Sequence, residues 1–149
     1  MPNEAVARFV RSFIDTNLLV YADDAFDARK QKIAIDVLVG LRQSREGVLS
    51  IQVLQEYFVN AIKKLGLDAG FARQRVAQYG RFEVVRPDLD LVLAAIDLHR
   101  LNQLSLWDAL VVQSARSSGS AVLLTEDMQH GLIVAGVRII NPFLDVDSG

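Results

Sequence analysis

Four acidic residues stand at the ends of apolar runs: Asp15 in FIDTNLLVYA, Glu56 in LSIQVLQEYF, Asp108 in LSLWDALVV and Asp127 in VLLTEDMQHG. If a fold brings them together, their carboxylates repel. Two like charges about 4 Å apart cost roughly 4 kcal/mol at an effective dielectric of about 20. A folded chain relieves this by protonating a carboxylate or by binding a cation. All four are hard oxygen donors, and the chain has no cysteine, a donor set that favours Mg²⁺ or Mn²⁺ over Zn²⁺. A divalent ion in an acidic cup suggests phosphate chemistry. Asn17 and Thr125 are supporting candidates: Asn17 for orienting a carboxylate or a water, Thr125 for bonding a phosphate or a carboxylate. Glu126 competes with Asp127 for the fourth acidic place.

Each residue also has an ordinary structural explanation. Ser105-x-x-Asp108 has the form of a capping box, and a carboxylate in a first helical turn complements the helix dipole. Asp15 suits the N-cap of a following helix, although its neighbours Phe13 and Ile14 place it at the edge of a core, where a bare charge needs a reason. Glu56 could be a solvated helix residue, Asp127 part of a surface turn, and Asn17 a turn residue. His99 and His130 lack partners at metal-ligand spacing and read as surface residues. Trp107, next to Asp108, could stack a base or serve as core or interface.

The elements that must position these residues alternate short β-rich runs with longer helical ones, which predicts an α/β fold with a parallel sheet covered by helices. A first strand is expected over residues 11–14, ending in the turn-forming Asp15-Thr16-Asn17. A helix over 28–41 carries Ile33, Val37, Leu38 and Leu41 on one stripe. A second strand follows at 48–50, and Ser50 caps a helix running to about Leu65, with Ile51, Leu54, Phe58 and Ile62 at helical spacing. Further helices are expected over 68–79, from Asp88, and from Ser105 to near Gly119. Strands are expected at 82–85, 121–124 and 137–140, giving about five in all. In an open parallel sheet, sites form at the carboxyl ends of the strands, so all four acids could face one cleft.

The chain has 149 residues, 51% hydrophobic and 23% charged, which fits one domain with a substantial core. No apolar run reaches the length of a membrane span, and the mixed N-terminus lacks a signal-peptide core. The absence of cysteine excludes disulfides and fits the cytoplasm. Net charge is −2, but setting the four acids aside leaves 14 acidic against 16 basic side chains. Basic clusters at Arg29-Lys30-Lys32, Arg42-Arg45, Lys63-Lys64 and Arg73-Arg75 could hold a phosphate backbone or could simply be solvated helix faces.

Several segments together resemble the PIN-domain nucleases, especially the VapC-like toxins of toxin–antitoxin pairs. They are Ile14-Asp15-Thr16-Asn17, Gln55-Glu56, Trp107-Asp108-Ala109-Leu110, Leu124-Thr125-Glu126-Asp127-Met128 and Asn141-Pro142-Phe143. The likeness runs from Arg11 to Phe143. It implies a leader over residues 1–10, a PIN-like α/β/α sandwich over 11–145 and a tail over 146–149. It implies a Mg²⁺- or Mn²⁺-dependent endoribonuclease with Asp15, Glu56, Asp108 and Asp127 in the site, the first, third and last as metal ligands. It further implies a cellular RNA substrate, a cognate antitoxin and a homodimer. An antitoxin segment is expected on apolar helix surface near residues 51–62 or 26–41. Two other readings compete: an RNA-processing nuclease without an antitoxin, and a non-enzymatic Mg²⁺-binding switch of the response-regulator type, for which Pro87-Asp88 offers only a loose phosphoacceptor.

Overall fold

The structure is a computed structural model that describes residues 10–144. The expected leader, but for its last residue, and the expected tail lie outside them. In chain order the elements are β1 (Ser12–Ile14), α1 (Thr16–Ala22), α2 (Ala28–Ser44), β2 (Gly47–Ser50), α3 (Ile51–Lys63), α4 (Ala69–Tyr79), β3 (Glu83–Val85), α5 (Leu89–Asn102), α6 (Leu106–Ser117), β4 (Val122–Leu124), β5 (Ile133–Val134) and β6 (Val137–Ile140).

Short polar residues begin the helices as local chemistry predicts. Ser50 accepts from Val53 N, Asp68 from Gly70 N and Phe71 N, Asp88 from Leu91 N and Ser105 from Asp108 N. Beyond α3, Gly66 takes a positive φ of 67°, Gly66 N donates to Ile62 O and Leu67 N to Ala61 O, so the trailing carbonyls of the helix are satisfied. Two elements differ from expectation at their ends. The run after Asp15, read only as a helix start, is a full helix, α1. Helix α2 continues past Leu41 to Ser44 and stops where Arg45 turns left-handed at φ 61°.

The sheet has six strands in the order β3-β2-β1-β4-β6-β5. All pairs are parallel except β5 with β6. The central strands β1 and β4 are buried throughout, which is why β4 is wholly apolar and β1 has two apolar residues in succession after Ser12. The sixth strand, β5, corrects the expected five. It is two residues long and joins β6 through Ala135 and Gly136, both at positive φ, a tight hairpin turn. Alanine in that conformation gives little sequence signal.

From β1 the chain steps outward to β2 and β3, then crosses back to β4 on the other side of β1. Right-handed crossovers therefore place α1–α4 on one face of the sheet and α5–α6 on the other. The helix contacts agree: α1 meets α2 and α3, α3 meets α4, and α5 packs on α6. The direction of winding reverses between β1 and β4, the topological switch point at which an open sheet leaves a crevice. No helix among the described residues is long and apolar enough to cross a membrane.

Gly47 opens β2 where a side chain has no room. A Cβ there would lie 2.7 Å from the Phe82 ring and 3.2 Å from Leu41 Cβ. Overpacking a core costs about 1–3 kcal/mol. Gly47→Val is expected to lower the urea midpoint accordingly; an unchanged midpoint would show that Phe82 moves aside freely.

Candidate active site

Asp15 leaves β1 at the switch point, and its backbone N donates to Leu124 O at the end of β4. Its side chain both caps α1 and enters the cleft, so the two alternatives drawn from sequence hold together. Oδ1 accepts from Thr16 N at 2.7 Å and Oδ2 from the Thr125 hydroxyl at 2.8 Å. Thr125, fully buried, serves three groups at once. It donates to Asp15 and accepts from Asn17 Nδ2 and from Asp127 N, each at 3.1 Å. Asn17 Nδ2 also reaches Asp127 Oδ2 at 3.2 Å. Both supporting candidates thus tie the acids of β1 and β4 together.

Glu56 sits in the second turn of α3, half-buried. Its carboxylate accepts from Thr16 Oγ1 at 2.9 Å and from Gln52 Nε2 at 3.0 Å. Asp108 occupies the first turn of α6. Its backbone N bonds the Ser105 hydroxyl at 3.0 Å, so the capping reading is also correct. All four acids line one cavity of about 440 Å³.

The electrostatics record their proximity. Burial pushes the Asp15 carboxyl up to about 6; the bonds from Thr125 and Thr16 oppose that, and the charges of Asp127 and Glu56 add to it. Asp108 is also raised, first by burial and then by Asp127 and Glu56, against the Ser105 hydroxyl. The charges of Asp127 and Glu56 thus act on both of the other two acids.

Glu126 and Asp127 part ways despite being neighbours. Glu126 is bonded by Lys30 Nζ at 2.8 Å and by the Tyr21 hydroxyl at 2.6 Å, with Lys30 also over the Tyr21 ring. Asp127 has no cationic partner among the described residues. Among the described residues none of Asp15, Glu56, Asp108 and Asp127 is in an ion pair, whereas Asp23, Asp36, Glu83 and Glu126 all are.

The basic clusters fare differently from expectation. Lys30 is spent on Glu126, and Arg29 bonds Phe143 O. Arg75 is spent on Asp23 in a buried cluster with Tyr57 and Tyr79. Arg29, Lys30 and Arg75 are thus internal fastenings and not free contacts for a phosphate backbone. Asp88 caps α5 and does not line the cleft, which removes the phosphoacceptor that the switch reading needs.

The donor set suits a hard cation: carboxylates, an amide oxygen and hydroxyls, with no sulfur or imidazole. Asn17 Oδ1 is buried without a donor, an acceptor that a hydrated ion would satisfy. Among the described residues no group of three or more acidic or histidine side chains is placed so as to hold a metal ion. Mg²⁺ does not require such a group, since it commonly takes one or two carboxylates and keeps several waters.

The PIN domain family model matches residues 12–131, spanning both strands of the switch point and all four acids. The chain belongs to the PIN domain family. Solved structures similar to this PIN domain include VapC20 of Mycobacterium tuberculosis, described as a sarcin-ricin loop cleaving toxin, at TM-score 0.62 and 22% identity over 75% of this chain and 86% of that one. VapBC2 of Rickettsia felis, bound to a promoter DNA fragment, aligns at 0.63 and 17% identity over 86% and 96%. DNA-bound VapBC of Salmonella typhimurium aligns at 0.63 and 18% over 88% and 97%. At these identities the likeness is one of fold. A comparison with curated proteins finds no match.

The raised Asp15 carboxyl has a signed consequence. The folded state holds that proton more tightly than the unfolded chain, so the contribution of Asp15 to stability falls as pH rises from about 3.8 to about 6 and stays low above. At about 1.4 kcal/mol per pH decade the loss is of order 3 kcal/mol. Asp15→Asn removes it. In EDTA, the melting temperature of Asp15→Asn relative to wild type is expected to be higher at pH 7.5 than at pH 4.5. An equal difference at both pH values would mean that Asp15 ionises as a solvated carboxylate.

Proposed function

We propose that this PIN domain is a divalent-metal-dependent endoribonuclease, the toxin of a toxin–antitoxin pair that hydrolyses RNA to inhibit growth. The observation that carries this reading is the meeting of four carboxylates on one cavity at the switch point, where none of them has a cationic partner among the described residues. Family membership and the VapC neighbours support the choice of chemistry, and the M. tuberculosis toxin's description as sarcin-ricin loop cleaving supports RNA as substrate.

In this reading Asp15, Asp108 and Asp127 would offer the carboxylates for Mg²⁺ or Mn²⁺. When bound, the ion would supply Lewis-acid chemistry and a more acidic water. Thr125 and Asn17 fix the relative positions of Asp15 and Asp127, which sets the geometry before substrate arrives. Glu56, held by Thr16 and Gln52, adds the fourth negative charge on the α3 side. Water attacks phosphorus in line and the bond to the 3′-oxygen breaks, leaving a 5′-phosphate and a 3′-hydroxyl. This route needs no neighbouring 2′-hydroxyl and no histidine pair.

The antitoxin belongs to the same proposal. Between α3 and α4 lies an apolar groove of about 490 Å³, lined by Ile51, Leu54, Phe58, Val59 and Val76 with the stem of Arg73. It falls on the 51–62 surface expected for a partner and suits the apolar face of a helix. The structural neighbours include VapBC assemblies and a toxin–antitoxin complex from Klebsiella pneumoniae.

Purified protein is expected to cleave RNA with Mg²⁺ or Mn²⁺ and to stop in EDTA. Asp15→Asn, Asp108→Asn and Asp127→Asn should each lower the rate by at least about 100-fold, the scale of losing a main electrostatic stabiliser. Glu56→Gln should lose less. Near-normal cleavage by a purified variant would remove that residue from the mechanism.

Metal should raise the melting temperature of the wild type, since a ligand of the folded state alone stabilises it, and raise that of Asp15→Asn less. Equal shifts would place the metal elsewhere. Induction of the chain in cells should arrest growth, and co-expression of an adjacent small gene should restore it. Harmless induction with no binding neighbour would overturn the toxin assignment and leave a processing nuclease.

A further inference from the structure

Two exposed aromatic rings on the acidic cavity take part in no aromatic pair among the described residues. Trp107, the only tryptophan of the chain, is 63% exposed, and Phe26 is 96% exposed. Both line the cavity that holds the four acids. The aromatic pairs of the described structure are Tyr21 with Phe143 and Tyr57 with Tyr79; neither Trp107 nor Phe26 takes part. The apolar side of α6 is already complete without Trp107, since Ala109, Val111, Val112 and Ala115 are buried.

The position of Trp107 is tied to the acids. Gln52 Nε2 donates both to Glu56 Oε1 at 3.0 Å and to Trp107 O at 3.3 Å. The next residue is Asp108. One amide thus couples the backbone that carries the indole to a carboxylate of the cleft. Lys64 is the single basic residue lining this cavity among the described residues, a positive charge that a phosphate in the cavity could use.

We propose that Trp107 is the stacking surface of a subsite for an unpaired nucleobase next to the acidic cleft, with Phe26 as its second aromatic surface. This inference rests on the nuclease reading. Every base has a π-face, so stacking on an indole holds a nucleotide with little sequence preference. In a duplex those faces are covered by neighbouring bases, so the subsite accepts single strands, loops and bulges. An apolar peptide could also cover an exposed indole, but the cavity is floored by carboxylates and carries a lysine, a setting that suits a nucleotide with its phosphate.

The lone tryptophan makes the test direct. A short unpaired RNA oligonucleotide is titrated in Mg²⁺ into full-length Asp15→Asn protein, and indole fluorescence is followed beside the anisotropy of a labelled RNA. Quenching that tracks binding is expected, with a duplex of the same sequence quenching several-fold less. In the otherwise wild-type chain, Trp107→Ala should raise KM for unpaired RNA about 10-fold with kcat within about twofold, and Trp107→Phe should restore most of the loss. Phe26→Ala should show a smaller shift in the same direction.

Absence of quenching, whether or not RNA binds, overturns the proposal. So does equal quenching by duplex, or an unchanged KM in Trp107→Ala. Quenching only by a co-purified apolar peptide, and not by RNA, assigns the indole to a protein partner and also overturns it. If quenching appears but wild-type protein cleaves no RNA with any divalent ion, the subsite stands and the nuclease reading fails.

Discussion

The Thr125 hydroxyl joins the ends of β1 and β4, the two strands between which the winding of the sheet reverses. Its donation to Asp15 Oδ2, together with the two bonds it accepts from Asn17 and from the Asp127 backbone, fixes two acids from distant parts of the sequence in one cleft. A hydrogen bond to a charged group contributes about 1.5–3 kcal/mol. Asp15 receives two, from Thr125 and Thr16, yet its carboxyl is still raised to about 6. The effective cost of burying an ion is several kcal/mol, and the outcome shows which effect wins. The cleft is therefore held in place by bonds that do not relieve its charge. What remains is a negative site whose relief must come from a proton or a cation.

The rest of the polar structure sharpens that contrast. Asp23 is caged by Arg75, Tyr57 and Tyr79, and Glu126 by Lys30 and Tyr21. Both clusters join helices to neighbouring elements and commit Lys30 and Arg75 to acids outside the four. Had Lys30 been free to reach Asp127, the site would hold an internal counter-ion, and a metal would have to compete with it. The pairing of Lys30 with Glu126 keeps Asp127 available. Adjacent acids thus serve opposite purposes, one closing the structure and one left open.

Much of this was legible in the sequence because it is local. Helix starts follow from Ser50, Asp68, Asp88 and Ser105, whose caps need only the next few residues. The buried central strands follow from their apolar runs, and the four acids follow from standing at the ends of those runs. What was not legible depends on distance or on unfavourable local signals. Lys30 meets Glu126 across 96 residues and Arg75 meets Asp23 across 52, so basic clusters that look available in sequence are committed in space. The choice between Glu126 and Asp127 turns on that same remote lysine. Thr125 reads as a contact to a phosphate or a carboxylate, and the sheet places it against the Asp15 carboxylate, 110 residues away. Strand β5 is hidden by its two-residue length and by an alanine in a left-handed turn.

The placement of the helices completes the electrostatic argument. Asp15 stands at the N-cap of α1 and Asp108 in the first turn of α6, so both acids sit where a helix presents partial positive charge. This field moderates their mutual repulsion and leaves the carboxylates oriented toward the cavity. It cannot cancel the repulsion, because each such interaction contributes typically 0.3–1 kcal/mol, less than the roughly 4 kcal/mol of two close charges. Among the described residues, a phosphate approaching the bare cleft would meet six carboxylates, the four acids with Asp24 and Glu126, and a single lysine. On the proposed reading this sets an order of events: the acids must first be neutralised by the divalent ion, and only then can they accept RNA. The same charge that makes the empty cleft costly thereby prevents substrate from settling in a site that is not yet competent.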